Sequence, residues 1–142
     1  MADAFYEEFR NAMFGEATHS VIDLSSGGDN IRCALRDEGT TAINLATQVD
    51  LADVVSAHVA ESANVGTQTV GSAAVGAFDH DNVTFSSVTG ASVESIDYYK
   101  ETGTDSTSPL IANIDSATGL PVTPNGGDIV WTPAAGGVVQ IT

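Results

Sequence analysis

Cations are what this sequence has least of. Arg10, Arg32, Arg36 and Lys100 are its only arginines and lysines, set against 19 acidic residues, for a formal net charge of −15 at pH 7. Nucleic-acid affinity comes largely from Lys and Arg neutralising phosphates, so a chain this poor in them is repelled by DNA and RNA. The same deficit argues against an anionic membrane surface. No nucleic-acid partner and no membrane partner is expected, whereas a basic protein surface is compatible with such a charge.

Cysteine is nearly absent as well. Cys33 stands alone, which excludes an internal disulfide, and its place in the apolar phase of a strand-like run marks it as a small buried hydrophobe. Long apolar runs are missing: none approaches the roughly 20 residues that span a bilayer. The stretch from Met1 to Met13 carries Asp3, Glu7 and Glu8 and lacks the apolar region of a secretory signal, so a soluble product made in a host cytoplasm is expected. Aromatic residues are few, at 6%, yet 42% hydrophobic with 16% charged residues is the composition of a folded globule. At 142 residues the chain fits one domain, 1–142, that can bury a core without disulfides or a structural metal.

Catalytic patterns are also lacking. No Gly-x-Ser-x-Gly elbow is present, and Cys33 has no histidine near it in sequence. Neither Gly-x-x-x-x-Gly-Lys-[Ser/Thr] nor Gly-x-Gly-x-x-Gly occurs, so nothing cradles a phosphate. His19, His58 and His80 are far apart, without the spacing of a zinc helix. Asp79-His80-Asp81-Asn82 sets hard oxygen ligands at alternate positions, but lacks the glycine and the final glutamate of a helix-loop-helix calcium loop. It reads as an acidic turn solvated at the surface. No catalytic residue, cofactor or metal is expected, and the protein reads as a non-enzyme.

What is present is one helix and many short strands. Ala2 to Phe14 is the helical stretch: Phe5, Phe9 and Ala12 or Met13 fall on one stripe, Asp3 can cap the start, Glu7 and Glu8 suit the positive end of the dipole, and Gly15 stops it. Val21–Leu24 is a β-like run before the Ser25-Ser26-Gly27-Gly28-Asp29 turn cluster. In Asn30–Arg36, Ile31, Cys33 and Leu35 alternate with Arg32, Ala34 and Arg36 as a half-buried strand. That phase puts both arginines on one outward face, the best candidate for an intramolecular ion-pair site or for an anionic contact on a partner.

Leu51–Val55 is a helical turn opened by Asp50. Residues 56–76 are rich in small side chains and read either as a flat strand pair or as an extended arm that orders on a neighbouring subunit. Further strands are expected around Val83 and Phe85, along Ile96-Asp97-Tyr98-Tyr99-Lys100, at Leu110–Ile114, at Ile129–Trp131 and from Gly137 to Thr142. Trp131, Tyr98, Phe78 and Phe85 are assigned to the core rather than to a sugar-binding platform, with Tyr99 on the opposite face. Short strands with turns about every 8–12 residues predict a mainly β domain, an antiparallel sandwich or partly open barrel over residues 16–142, with one short N-terminal α-helix within 1–15.

The segment Tyr98-Tyr-Lys-Glu-Thr-Gly-Thr-Asp-Ser-Thr-Ser-Pro-Leu-Ile-Ala-Asn-Ile-Asp-Ser-Ala-Thr-Gly-Leu-Pro-Val-Thr-Pro-Asn-Gly-Gly-Asp-Ile-Val-Trp131 resembles the C-terminal half of a family of small structural proteins of tailed phages. Their common form is YK[DE]TGTxxTSxLIAxIDxxTGLPVTPNGGDI, followed by a strand that carries an aromatic residue. Ile22-Asp23 and Ile31–Asp37 resemble the same family more weakly. The Ser/Ala/Gly-rich middle and the ending Pro133–Thr142, which lacks the family's closing basic residue, depart from it, so contacts made there are not carried over. Within the matched segment the residue types serve shape: Gly103 suits positive φ, the two Xaa-Pro steps at Pro121 and Pro124 hold an extended connection, and Asn125-Gly126-Gly127-Asp128 makes a tight turn.

The resemblance implies a virion component. Acidity that keeps the chain from packaged DNA, small size and the lack of a catalytic pattern then point to a capsid decoration (cement) protein on the head exterior. Its expected partner is the major capsid protein, and a homo-oligomer, by analogy a trimer, is implied. Phe5, Phe9, Arg32 and Arg36 are the candidate partner-binding residues, with the N-terminal helix and the small-residue middle as the contacting elements. The rival expectations are a head-completion, neck or tail-associated protein and, in a different class, a host-surface glycan-binding module.

Overall fold

The computed structural model describes residues 3–15 and 21–140. It is a mainly β domain of antiparallel sheets with one helix near the N-terminus. The strands are β1 (Ala4–Phe5), β2 (Ile31–Arg36), β3 (His58–Glu61), β4 (Thr69–Val70), β5 (Ala77–Asp79), β6 (Val83–Phe85), β7 (Ser95–Lys100), β8 (Leu110–Ile114), β9 (Ile129–Trp131) and β10 (Val139–Gln140); the helix α1 is Glu7–Met13. A five-stranded sheet runs β1-β8-β7-β2-β3, a three-stranded one β10-β5-β4, and β6 pairs with β9.

The five-stranded sheet is covered on both faces. On one, Ile31, Cys33 and Leu35 of β2 and Ile96 and Tyr98 of β7 join Phe78, Val83, Phe85, Trp131 and Val139 from the smaller sheets in the main core. On the other, Ala34, Tyr99 and Leu110 pack with Tyr6, Leu51 and Val54. The latter two come from the turn region after Asp50, whose side chain opens the 3-10 turn Leu51–Asp53 in a capping box with Asp53. This second layer buries every residue of β2 but Arg32, where a half-buried strand was expected, and it moves Arg36 from an outward face to the interior.

Three other expectations on the chain's course are corrected. Ala4 and Phe5 are not helical: they pair with Asn113 and Ala112 of β8, and Tyr6 N–H donates to the Ile111 carbonyl. Pairing with an open sheet edge outweighs the modest helix preference of a few residues at a helix end. Asp3 therefore caps no helix; its carboxylate accepts the Asp115 and Ser116 backbone N–H groups and the Ser116 hydroxyl. Val21–Leu24 forms no strand, because its backbone is drawn into a closed turn in which Asp29 N–H donates to the Asp23 carbonyl and Asp23 N–H to the Asp29 carboxylate. Residues 56–76 contain neither a strand pair nor an arm: β3 adds to β2 and β4 to β5, so the two strands edge different sheets.

The remaining strands lie where the alternation puts them, and Gly103, at the expected positive φ (+87°), turns the chain after β7. Ala2 of the expected helix, His19, and Ile141 and Thr142 of the expected last strand lie outside the described residues. No helix among the described residues is long and apolar enough to cross a membrane.

Candidate functional site

The two arginines of β2 have different fates. Arg32 stays half-buried, its Nη1 3.1 Å from Glu101 Oε2 and its Nε donating to Asn64 Oδ1. Arg36 has no exposure at all. Its Nη1 donates to Asp97 Oδ2 and to Tyr6 OH, both at 2.9 Å, and its Nη2 donates to the Thr41 and Ala42 carbonyls and to Gln48 Oε1. A guanidinium fork is suited to this many acceptors at once.

Asp97, from the middle of β7, is the other centre. Its Oδ1 accepts from Tyr6 OH and Asn113 Nδ2, each at 2.8 Å, and its Oδ2 lies 3.2 Å from His58 Nε2. His58 Nδ1 is 3.1 Å from Glu61 Oε1, so the imidazole stands between two carboxylates. Burial by itself pushes the Asp97 carboxyl up, but His58, Arg36 and Asn113 outweigh it and hold the group below the usual carboxylate range. Burial likewise pulls His58 down, and Asp97 and Glu61 outweigh that, leaving it above the ordinary imidazole value. Both ring nitrogens donate only in the charged form, which matches two carboxylate acceptors. Arg36, His58, Asp97 and Glu61 form a quartet. It ties β2, β3, β7, β8 and the Tyr6 segment together.

A second polar chain lies in the main core. His80 Nδ1 is 2.6 Å from the Asp81 carbonyl and its Nε2 2.6 Å from Tyr98 OH, while Trp131 Nε1 donates to the same hydroxyl. A carbonyl can only accept, so His80 carries its proton on Nδ1 and takes the Tyr98 proton at Nε2. Burial lowers its basicity, which favours this neutral form. The 79–82 turn is thus half interior: His80 is buried, and Asp81 accepts from Thr67. That corrects its expected place as a wholly solvated turn. Among the described residues no group of three or more His, Cys, Asp or Glu is placed to hold a metal ion. Cys33 is buried, and burial pushes its thiol up to about 12. Tyr98, Phe78, Phe85, Trp131 and also Tyr99 are buried, so none of these rings is presented as a platform.

The surface offers a different feature. A groove of about 340 Å³ runs between α1, the 22–25 segment and the β4–β5 hairpin, lined by Phe5, Phe9, Met13, Ile22, Leu24, Val70 and Phe78, with Asp23 as the one charged residue of the lining among the described residues. Phe5 and Phe9 stack at 5.1 Å between ring centroids and form its floor with Phe78. Phe14, Val21 and Val75, each next in sequence to a lining residue, are 86, 69 and 87% exposed.

No family model and no curated protein matches this sequence. The four candidate contact residues therefore stand on geometry. Phe5 and Phe9 come together in the groove, although Phe9 is itself buried. Arg32 keeps some exposure, engaged by Glu101, and Arg36 has no surface to present to a partner, contrary to its expected outward placement. Met13 was placed on the stripe of the N-terminal helix, but Leu24, Val70 and Asp23 were not singled out as contact residues, because the groove joins segments that are distant in the chain. Tyr6, Gln48, His58 and Asn113 were also unforeseen. A signal for the quartet was present: a lone acid, Asp97, inside the strand Ser95–Lys100, and a second arginine closing Ile31–Arg36.

Proposed function

We propose that this protein is a decoration (cement) protein of a phage head, bound to the outer surface of the major capsid protein lattice. The observation that carries the reading is the exposed apolar groove. It joins the two elements expected to make the contact, the N-terminal helix and the small-residue middle, on an otherwise acidic molecule. A surface with a net charge of −15 is repelled by packaged DNA and suits the exterior. His58, His80 and Cys33 are engaged in interior contacts, which leaves the groove as the feature that faces outward for use. One groove of this size supports a modest contact, and many copies on a repeating lattice sum such contacts to firm retention. The resemblance of Tyr98–Trp131 to phage structural proteins supports the virion setting.

The test is the copy number of this chain per purified particle, by quantitative mass spectrometry against the major capsid protein. A ratio near one to one, or another high lattice fraction, is expected. A dozen copies or fewer assigns the protein to the neck or tail and overturns the decoration reading.

A further inference from the structure

All four cations of this chain are engaged by its own acids. Arg10 pairs with Glu7 at 3.4 Å, Arg32 with Glu101 at 3.1 Å, Arg36 with Asp97 at 2.9 Å and Lys100 with Asp29 at 2.9 Å. The excess of acids leaves the molecule strongly negative. Asp23, the one ionised group in the groove lining among the described residues, accepts the Ser25 backbone N–H and hydroxyl, and these bonds hold its carboxyl below the usual range. It is fixed in place and charged.

From this we infer that the groove seats an apolar segment of its partner that carries a Lys or Arg beside the apolar residues, the cation lying against Asp23. A second copy of this chain is a poor occupant. It brings no uncommitted cation to Asp23, and two bodies each of net charge −15 repel. A purely apolar segment would fill the groove but leave the Asp23 carboxylate with its two Ser25 hydrogen bonds and no counter-charge. A cationic-apolar segment satisfies both features and gains on-rate from the field of the whole molecule. The identity of the partner as the shell protein rests on the decoration reading; the chemistry of the occupant does not.

The test uses the purified full-length protein, re-bound to particles from a phage lacking its gene, at several NaCl concentrations. Val70→Asp and, separately, Met13→Asp change exposed lining residues. Val130→Asp is the control, since Val130 is 56% exposed and outside the groove while Val70 is 53% exposed within it. Circular dichroism melts establish that each variant is folded. Occupancy at sub-saturating protein is expected to fall at least tenfold for both groove variants and to match the original protein for Val130→Asp. Asp23→Asn, which keeps an acceptor for Ser25 and removes the charge, is expected to weaken binding at low salt and to flatten its salt dependence.

Groove variants that bind as well as the Val130→Asp control overturn the inference while leaving the decoration reading intact. An unchanged salt slope in Asp23→Asn overturns its cationic part. If particles take up no protein at all, the decoration reading falls. The occupant is then tested by nuclear magnetic resonance with a leucine–lysine peptide and its leucine–glutamate counterpart. Perturbations at Met13, Val70 and Phe78 with the lysine peptide alone are expected, and equal effects from both peptides overturn the inference. Sedimentation showing a dimer that Val70→Asp dissociates would make the occupant a second copy and overturn it likewise.

Discussion

Arg36 and Asp97 sit one diagonal step apart on β2 and β7, their side chains 2.9 Å apart and both without solvent exposure. An ion pair of this kind is not by itself a source of stability, because removing two charges from water offsets most of their attraction. Its effect is that each partner depends on the other. Tyr6, Gln48, Asn113 and His58 supply the further bonds that make the arrangement tolerable, and in doing so they bind the N-terminal segment and β3 to the sheet centre.

Arg36→Met leaves the Asp97 carboxylate buried without its guanidinium and is expected to destabilise the fold by about 3–5 kcal/mol. Arg36→Lys keeps the charge but loses the fork that reaches Thr41, Ala42 and Gln48, so a smaller loss is expected. Urea unfolding of the three proteins at neutral pH measures both. A loss below about 1 kcal/mol for Arg36→Met, the range of an exposed pair, would contradict the buried-quartet account.

The same quartet sets a pH dependence. His58 is raised in the folded state, so its contribution is fully present below the ordinary imidazole pKa, about 6.5, and is lost as pH rises through the higher folded value. Asp97 and Glu61 are lowered, so theirs is present above the ordinary carboxylate range and lost as pH falls through their folded values. His80 is lowered and acts in the opposite sense to His58, adding stability above about 6.5. Comparing unfolding at pH 5.5 and 8.5 in the original protein and in His58→Gln isolates the first group. The substitution is expected to cost more at pH 5.5 than at 8.5; an equal cost at both counts against the carboxylate-flanked imidazole.

Cys33 is expected to resist thiol reagents in the folded protein. Its side chain is fully buried beside Ser62 and Tyr98, and its thiol is pushed up to about 12, so almost no thiolate exists at pH 8. Labelling with a chromogenic disulfide should proceed only at the rate of unfolding and become immediate in denaturant. Fast labelling under native conditions would mean that β2 opens locally.

Gly137 turns the chain into β10 at φ +93°, and a Cβ there would stand 2.7 Å from the Phe78 carbonyl oxygen and 3.1 Å from Ala77 Cβ. Gly137→Ala therefore combines left-handed strain with a clash against backbone, at an expected cost of about 1–3 kcal/mol. Gly136→Ala meets nothing within 4 Å and is the matched control. Thermal melts of both variants give the comparison, and equal melting temperatures would contradict the close approach of β10 to β5.

Local chemistry was enough to place most strands. Ile31-Cys33-Leu35 and Ile96-Tyr98 reveal a buried phase because side chains alternate along a strand wherever it occurs. The aromatic residues of a chain with so few of them were bound to be used for the core, and Trp131, Tyr98, Phe78 and Phe85 are. Acidity, too, belongs to composition alone. What periodicity does not report is whether the second face of a strand meets water or another layer. For β2 and β7 that was decided by the 40–57 region folding over Ala34, Arg36, Asp97 and Tyr99, with Arg36 and Asp97 interior because each satisfies the other.

The sequence by itself determined a mainly β, strongly acidic domain, most of its strand positions and much of its main core, since these follow from alternation, side-chain volume and charge count. Only the tertiary structure decided that Ala4 and Phe5 are strand rather than helix, that Arg36 is interior, and that Phe5, Met13, Leu24 and Val70 share a groove. Each of these depends on contacts between segments far apart in the chain, where the partner that satisfies a backbone edge, a charge or an apolar face is not its neighbour in sequence.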